Sequence, residues 1–126
     1  MPTENTRFNY SYRDASNYKA WGSVVFRSGI DGALSARLST TLESAEFFIA
    51  DQIRLPEVFL ADWPLDLDDH CWHAFSDTEL TNDAPDDAHD RTIEEFVKEV
   101  ERASREGWKV FDPMRRAASR RRPSRG

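Results

Sequence analysis

Alternating hydrophobic and polar positions near the start of the chain predict a β-hairpin. Phe8, Tyr10 and Tyr12 alternate with polar residues over positions 7–13, which is the period of a half-buried strand. A second apolar run over positions 21–28 is rich in β-branched and aromatic residues and ends in a turn signal. The polar stretch between them predicts a connecting loop of about six residues.

Two amphipathic segments predict helices. Leu34, Leu38 and Leu42 recur every four residues behind Asp31, a residue type that caps helix N-termini. Thr92 and Glu95 have the spacing of a capping box at the start of the second helix. The apolar stripe of that helix and the glycine expected to end it are Ile93, Phe96, Val97, Val100 and Gly107.

Shorter signals complete an α+β fold with a small antiparallel sheet and two helices. Positions 47–49 form a short apolar run, positions 70–81 predict another strand, and positions 82–90 predict an exposed loop. The approximate element order is therefore β-β-α-(β)-β-α. Positions 1–113 are expected to form one domain, and the arginine-rich positions 114–126 a disordered basic tail that lacks an apolar face.

The charge is divided between the domain and the tail. The chain has a formal net charge of −6, with six arginines after Met114 and 11 basic against 23 acidic residues before it. An acidic body repels nucleic acid, so nucleic-acid binding is expected only through the tail. No apolar run is long enough for a membrane helix, and the first residues lack a secretory signal, which predicts a cytoplasmic protein without membrane contact.

The first candidate site is the loop of the predicted hairpin. Arg13, Asn17, Tyr18 and Lys19 combine cations, an amide and an aromatic ring, which suit a phosphate, a nucleotide base or an acidic partner segment. The alternative is a structural turn in which Arg13 pairs with a nearby acid.

Two motifs in the chain resemble a family of short uncharacterised bacterial proteins. The first is FxYxYRDAxNYKxxGxVxF at positions 8–26, and the second is DHCWHxF at positions 69–75. The resemblance covers positions 7 to about 111 and brings no known activity. It implies a stand-alone domain, with the arginine-rich tail outside the shared region.

The second candidate is a metal site at Asp69 and His73. Strand alternation places Cys71 and His73 on one face and His70 and Trp72 on the other, so only part of the cluster can converge. A hydrolytic metal site needs about three converging ligands and an open position. Motifs for zinc, calcium, nucleophilic serine and phosphate loops are absent, so no cofactor is expected.

The third candidate is the acidic stretch over positions 62–90, which holds ten carboxylates and no Lys or Arg. Trp63 and Trp72 lie within it and could anchor a partner that the charge attracts. The sequence therefore favours a non-enzymatic interaction module, dimeric, that binds a basic protein through an acidic, aromatic-containing surface. The alternative is a small nucleotide-binding protein or a metal-dependent hydrolase that uses the Arg13–Lys19 loop.

Overall fold

A computed structural model shows the predicted α+β fold and describes residues 4–13, 18–59, 70–113 and 115–116. Neither helix in this part of the chain is long and apolar enough to cross a bilayer. The elements, in chain order, are strand β1 (Asn5–Arg13), strand β2 (Lys19–Phe26), helix α1 (Gly32–Thr41), strand β3 (Phe47–Phe48), a 3-10 turn (Ala50–Ile53), strand β4 (His73–Thr81) and helix α2 (Ile93–Glu106).

The four strands form one antiparallel sheet in the order β2-β1-β4-β3. The predicted hairpin is present, and its last described pair is Arg13 opposite Lys19. The strand predicted over positions 70–81 begins at His73 rather than at His70. The short apolar run at positions 47–49 contributes the edge strand β3, which pairs with β4.

Strand β4 carries a β-bulge where it pairs with the middle of β1. Asn9 lies opposite Asp77 and Tyr10 opposite Phe75, so Ser76 is the extra residue. A bulge bends its strand and increases the local twist of the sheet. The bulge therefore separates two regions of the open sheet face.

The two helices cover one face of the sheet, and the core lies between the helices and that face. Phe26 of β2 stacks on Phe96 of α2 with ring centroids 4.3 Å apart, and Phe8 meets Phe96 edge-on at 5.1 Å. The buried cluster is largely aliphatic and aromatic: Phe8, Tyr10, Val24, Phe26, Leu38, Leu42, Phe48, Ala50, Ile53, Leu55, Ile93, Phe96, Val97, Val100 and Ala103.

Both predicted helix starts are confirmed by their capping geometry. The Asp31 carboxylate accepts a 2.8 Å hydrogen bond from the Leu34 N–H. Thr92 and Glu95 form the reciprocal capping box, with bonds of 3.0 and 3.1 Å. Gly107 follows the last helical residue at φ 93°, a positive φ that glycine adopts without strain.

A buried arginine joins α2 to the rest of the domain. Arg91 is only 4% exposed, and its guanidinium pairs with Asp87 at 2.9 Å and with Glu99 at 3.2 Å. It also donates to the backbone carbonyls of Ile53 and Arg54. Burial alone would raise the pKa of Asp87, but the hydrogen bonds from Arg91 reverse this effect and lower it. The segment predicted as an exposed loop therefore contains a buried structural carboxylate.

The contact between the domain and the arginine-rich segment extends to Arg116. Its guanidinium forms two hydrogen bonds with Glu57, of 2.5 and 2.9 Å, and lies over the ring of Phe111. Arg116 lies beyond the domain end that was predicted at position 113. Position 114 and positions 117–126 of the predicted tail lie outside the described residues.

Candidate functional site

The sheet face opposite the helices carries a row of residues that runs across all four strands. Ser11 of β1 lies opposite Trp21 of β2 and Ala74 of β4, and Ala74 lies opposite Phe47 of β3. Large aromatic side chains thus stand at both edges, and small side chains lie between them. This arrangement forms a groove, which we call the sheet-face groove.

The sheet-face groove has a volume of about 520 Å³. Its floor is the row of small residues, and Ser11 is only 8% exposed although it lies on the open face. Trp21, in contrast, is 64% exposed. Residues from all four strands and from the segments that precede β3 and β4 line the groove: Ser11, Arg13, Lys19, Trp21, Glu46, Phe47, His70, Trp72, Ala74, Phe75 and Ser76.

Two cations stand together at the β1–β2 end of the groove. Arg13 and Lys19 are direct partners in the antiparallel register, and neither has an ion pair within the described chain. The Lys19 ammonium lies 5.7 Å from the centroid of the Trp21 ring, within the range of a cation–π contact. Like charges directly opposite each other destabilise a sheet. The pair is therefore better suited to an anionic ligand than to the stability of the fold.

His70 fixes the segment that carries Trp72 to the end of β1. Its Nε2 lies 2.7 Å from the Arg13 carbonyl oxygen, and its Nδ1 accepts a 3.0 Å bond from the Trp72 N–H. These contacts assign the neutral tautomer with the proton on Nε2. Tyr12 adds a 2.8 Å bond from its hydroxyl to the His70 carbonyl. Trp72 is thereby held beside the two cations.

The structure brings three of the predicted binding residues together in one groove. Arg13, Lys19 and Trp72 all line the sheet-face groove, although Trp72 was assigned to a different candidate surface. Tyr18, which directly precedes β2, is 68% exposed. Asn17, Trp63 and Asp69 lie outside the described residues.

His73, the described member of the predicted metal pair, lies in the core. Its side chain is fully buried among aromatic rings, and its Nε2 accepts a 3.0 Å hydrogen bond from the Val58 N–H. Burial lowers the pKa of His73 to about 4, which keeps the ring neutral. Within residues 4–13, 18–59, 70–113 and 115–116, no three His, Cys, Asp or Glu side chains are grouped so that they could hold a metal ion.

The described carboxylates of the acidic stretch are largely paired within the domain. Glu79 and Asp83 both contact Arg7, and Asp77 accepts a 2.8 Å bond from the Asn9 amide. Further along, Asp86 accepts from the Val25 N–H at the outer edge of β2, Asp87 pairs with Arg91 and Asp90 pairs with Arg27. These contacts give the carboxylates structural roles. Asp77 and Glu79 also make the open face acidic beyond the bulge.

Sequence reasoning missed Trp21 as a site residue, although a signal for it was present. Val24 and Phe26 occupy inward positions of β2, so strand alternation directs the odd-numbered Trp21 and Lys19 to the opposite face. The contribution of Phe47 had no comparable signal, because it depends on the pairing of β3 with β4.

Comparison with protein-family models, with curated proteins and with solved structures gives no match for this chain. The resemblance to short bacterial proteins therefore stays a hypothesis that rests on the two sequence motifs. The functional argument depends on the geometry of the sheet-face groove.

Proposed function

We propose that this protein is a non-enzymatic interaction module that holds an extended acidic segment of a partner protein in the sheet-face groove. The observation that carries the proposal is the groove itself, in which Arg13 and Lys19 face each other without an acidic partner among the described residues, beside Trp21 and Trp72. The exposed Trp21 and the half-buried Trp72 supply contact area, and cations select the charge of the ligand.

The shape of the groove suits an extended chain. It crosses the sheet from Trp21 at the β2 edge to Phe47 at the β3 edge over a floor of small residues. A peptide lying across this floor would contact aromatic side chains at both edges and bring its carboxylates to Arg13 and Lys19. Recognition would then combine apolar anchors with charge-assisted hydrogen bonds.

Charge favours a protein segment over single-stranded nucleic acid. Aromatic rings and cations on a sheet face can also stack bases and neutralise phosphates. However, the first 113 residues carry 23 acidic and 11 basic side chains, and Asp77 and Glu79 lie on the same sheet face beyond Ser76. A nucleic-acid backbone that followed this face would meet those carboxylates. An acidic peptide confined to the groove would avoid Asp77 and Glu79 and would meet one carboxylate, Glu46 beside β3, against the two cations Arg13 and Lys19.

This proposal moves the binding surface predicted from sequence. The expected acidic surface would attract a basic partner, but its described carboxylates already contact Arg7, Asn9, Arg27 and Arg91. The groove contains Trp72 from that stretch together with the cations of the first candidate. The cations of the groove favour an acidic partner, and a basic partner is the alternative that binding experiments distinguish.

Three defined probes separate these ligands. The full chain is titrated with a fluorescein-labelled ten-residue peptide of alternating Glu and Ser, with the matching Lys–Ser peptide, and with a ten-nucleotide oligothymidylate. Binding is followed by fluorescence anisotropy at two salt concentrations. We expect the Glu–Ser peptide to bind at least about tenfold more tightly than the other two probes, with weaker binding at high salt.

Three results would overturn the proposal in different ways. Preferential binding of the Lys–Ser peptide would return the function to the acidic surface. Preferential binding of oligothymidylate would identify the groove as a nucleotide-binding site. Equal and weak binding of all three probes would show that the groove does not select charge.

A further inference from the structure

The outer edge of β2 is covered over only half of its length. Near the end of the strand, the Val25 N–H donates to Asp86 Oδ1 at 2.7 Å, and the Val25 carbonyl accepts from the Asp86 N–H at 3.0 Å. The backbone of Arg27 likewise bonds with Arg91 and Ile93. The segment before α2 thus satisfies the edge from Val25 onward.

The other half of this edge offers backbone groups to an additional strand. Because the backbone groups of Val25 point away from β1, strand alternation directs those of Lys19, Trp21 and Ser23 the same way. Within the part of the chain that the structure describes, these outward N–H and C=O groups have no partner. An unpaired edge of this kind is a template for another strand.

Side chains on this half of the edge leave room for a neighbour. Ala20 and Gly22 point to the helix side, where Val58 already fills the space next to Gly22. Lys19, Trp21 and Ser23 point to the open face, and Trp21 is the only large apolar side chain among them. A strand added here would cover one face of the exposed Trp21 ring.

Charge on the open face indicates which strand fits. Arg13 and Lys19 lie at one end, and Asp77, whose contact is the neutral Asn9 amide, lies at the other, with Trp21 between them along the direction of β2. A twofold axis at Trp21 would reverse one copy relative to the other. The basic end of each copy would then approach the acidic end of its neighbour.

We propose that β2 pairs antiparallel with β2 of a second copy of this chain, which forms a symmetric dimer with one continuous eight-stranded sheet. Trp21 lies opposite Trp21 of the second copy, and Lys19 lies opposite Ser23 in each half. Aromatic pairs across strands are favourable, and the arrangement places no like charges directly opposite across the interface. The two grooves then lie on the same side of the extended sheet.

Dimerisation through β2 does not depend on which ligand the groove binds, so the two proposals are tested by separate experiments. Analytical ultracentrifugation of the full chain over a wide concentration range measures the dimer dissociation constant. Ser23→Lys places a lysine opposite Lys19 of the second copy, and we expect it to weaken dimerisation at least about tenfold. Adding Lys19→Glu to Ser23→Lys restores an opposite-charge pair, and we expect the dissociation constant to return to within about threefold of wild type.

Controls keep the test specific to this edge. Leu80→Ser removes another exposed apolar side chain, on β4, and we expect no change in dimerisation. Thermal unfolding verifies that each variant is folded, and Trp21→Thr replaces Ser23→Lys if the latter does not fold. A wild-type protein that stays monomeric at millimolar concentration would overturn the proposal. So would dimers that Ser23→Lys leaves intact, or a charge-swapped variant that fails to recover.

Discussion

Arg13 and Lys19 lie directly opposite each other at the end of the β1–β2 pair, with no carboxylate bound to either within the described chain. Arg7, Arg37 and Arg54, in contrast, each pair with a carboxylate. The like-charged pair therefore opposes the fold locally, which is typical of residues retained for a ligand.

Removing one of these cations should not destabilise the protein. We expect Lys19→Thr to leave the free energy of unfolding unchanged or to raise it by up to about 1 kcal/mol, because it removes cross-strand repulsion and introduces a good strand former. Urea denaturation measures the change, with Lys109→Thr as the control for an exposed lysine outside the sheet. A loss of several kcal/mol would mean that Lys19 supports the fold.

Arg91, in contrast, should be essential for stability. We expect Arg91→Ala to lower the free energy of unfolding by about 3–5 kcal/mol, because it leaves the buried carboxylates of Asp87 and Glu99 without their shared cation. Arg102→Ala, on the exposed side of α2, is the matched control and should change stability by less than about 1 kcal/mol. Similar unfolding curves for the two variants would contradict the structural role of Arg91.

The buried His73 predicts a specific dependence of stability on pH. Its pKa is about 4 in the folded protein and 6.5 in an exposed histidine, so the unfolded state binds more protons between these values. The free energy of unfolding should therefore fall as the pH decreases from 6.5 to 4, by about 3 kcal/mol from this residue. His73→Gln keeps an acceptor for the Val58 N–H and lacks the titration.

Urea denaturation of wild type and His73→Gln at several pH values isolates this effect. Carboxylates such as Asp87 and Glu99, whose pKa values are lowered by their arginine partners, titrate in both proteins and cancel in the comparison. We expect the stability difference between the two proteins to shift in favour of the variant as the pH falls below 6.5. A difference that does not depend on pH would show that His73 titrates normally.

Phe96 is the centre of the core, and its truncation should be severe. It is fully buried, stacks on Phe26 and also contacts Phe8 and the Arg91 guanidinium. We expect Phe96→Ala to reduce the free energy of unfolding by about 3–5 kcal/mol, the range for emptying a buried phenylalanine site. Chemical denaturation measures it, and a change below about 1 kcal/mol would place this ring outside the core.

The sequence predicted elements whose signals are local. The capping box of Thr92 and Glu95 and the alternation of Phe8, Tyr10 and Tyr12 each involve neighbouring positions, and the structure confirms both. Long-range relations were not predictable in this way. Arg91 acquires its role from carbonyls near position 53 and from Glu99 on α2, and no local pattern marks those partners.

The same distinction applies to the candidate site. Arg13 and Lys19 were identified because their charges interrupt two apolar strands close together in the sequence. Trp72 reaches them only because β4 pairs with β1, which joins segments about sixty residues apart. Sequence patterns therefore identified Arg13, Lys19 and Trp72 of the groove, but assigned them to two separate surfaces.

The most direct test of the groove is the affinity of the labelled Glu–Ser peptide for matched double variants. Arg13→Ala/Lys19→Ala removes the two cations of the groove, and Arg102→Ala/Lys109→Ala removes the same charges from exposed positions elsewhere. Fluorescence anisotropy should show a loss of about tenfold or more for the first variant and less than about twofold for the second. Equal losses would contradict the account, because they would mean that only the net charge of the protein attracts the peptide.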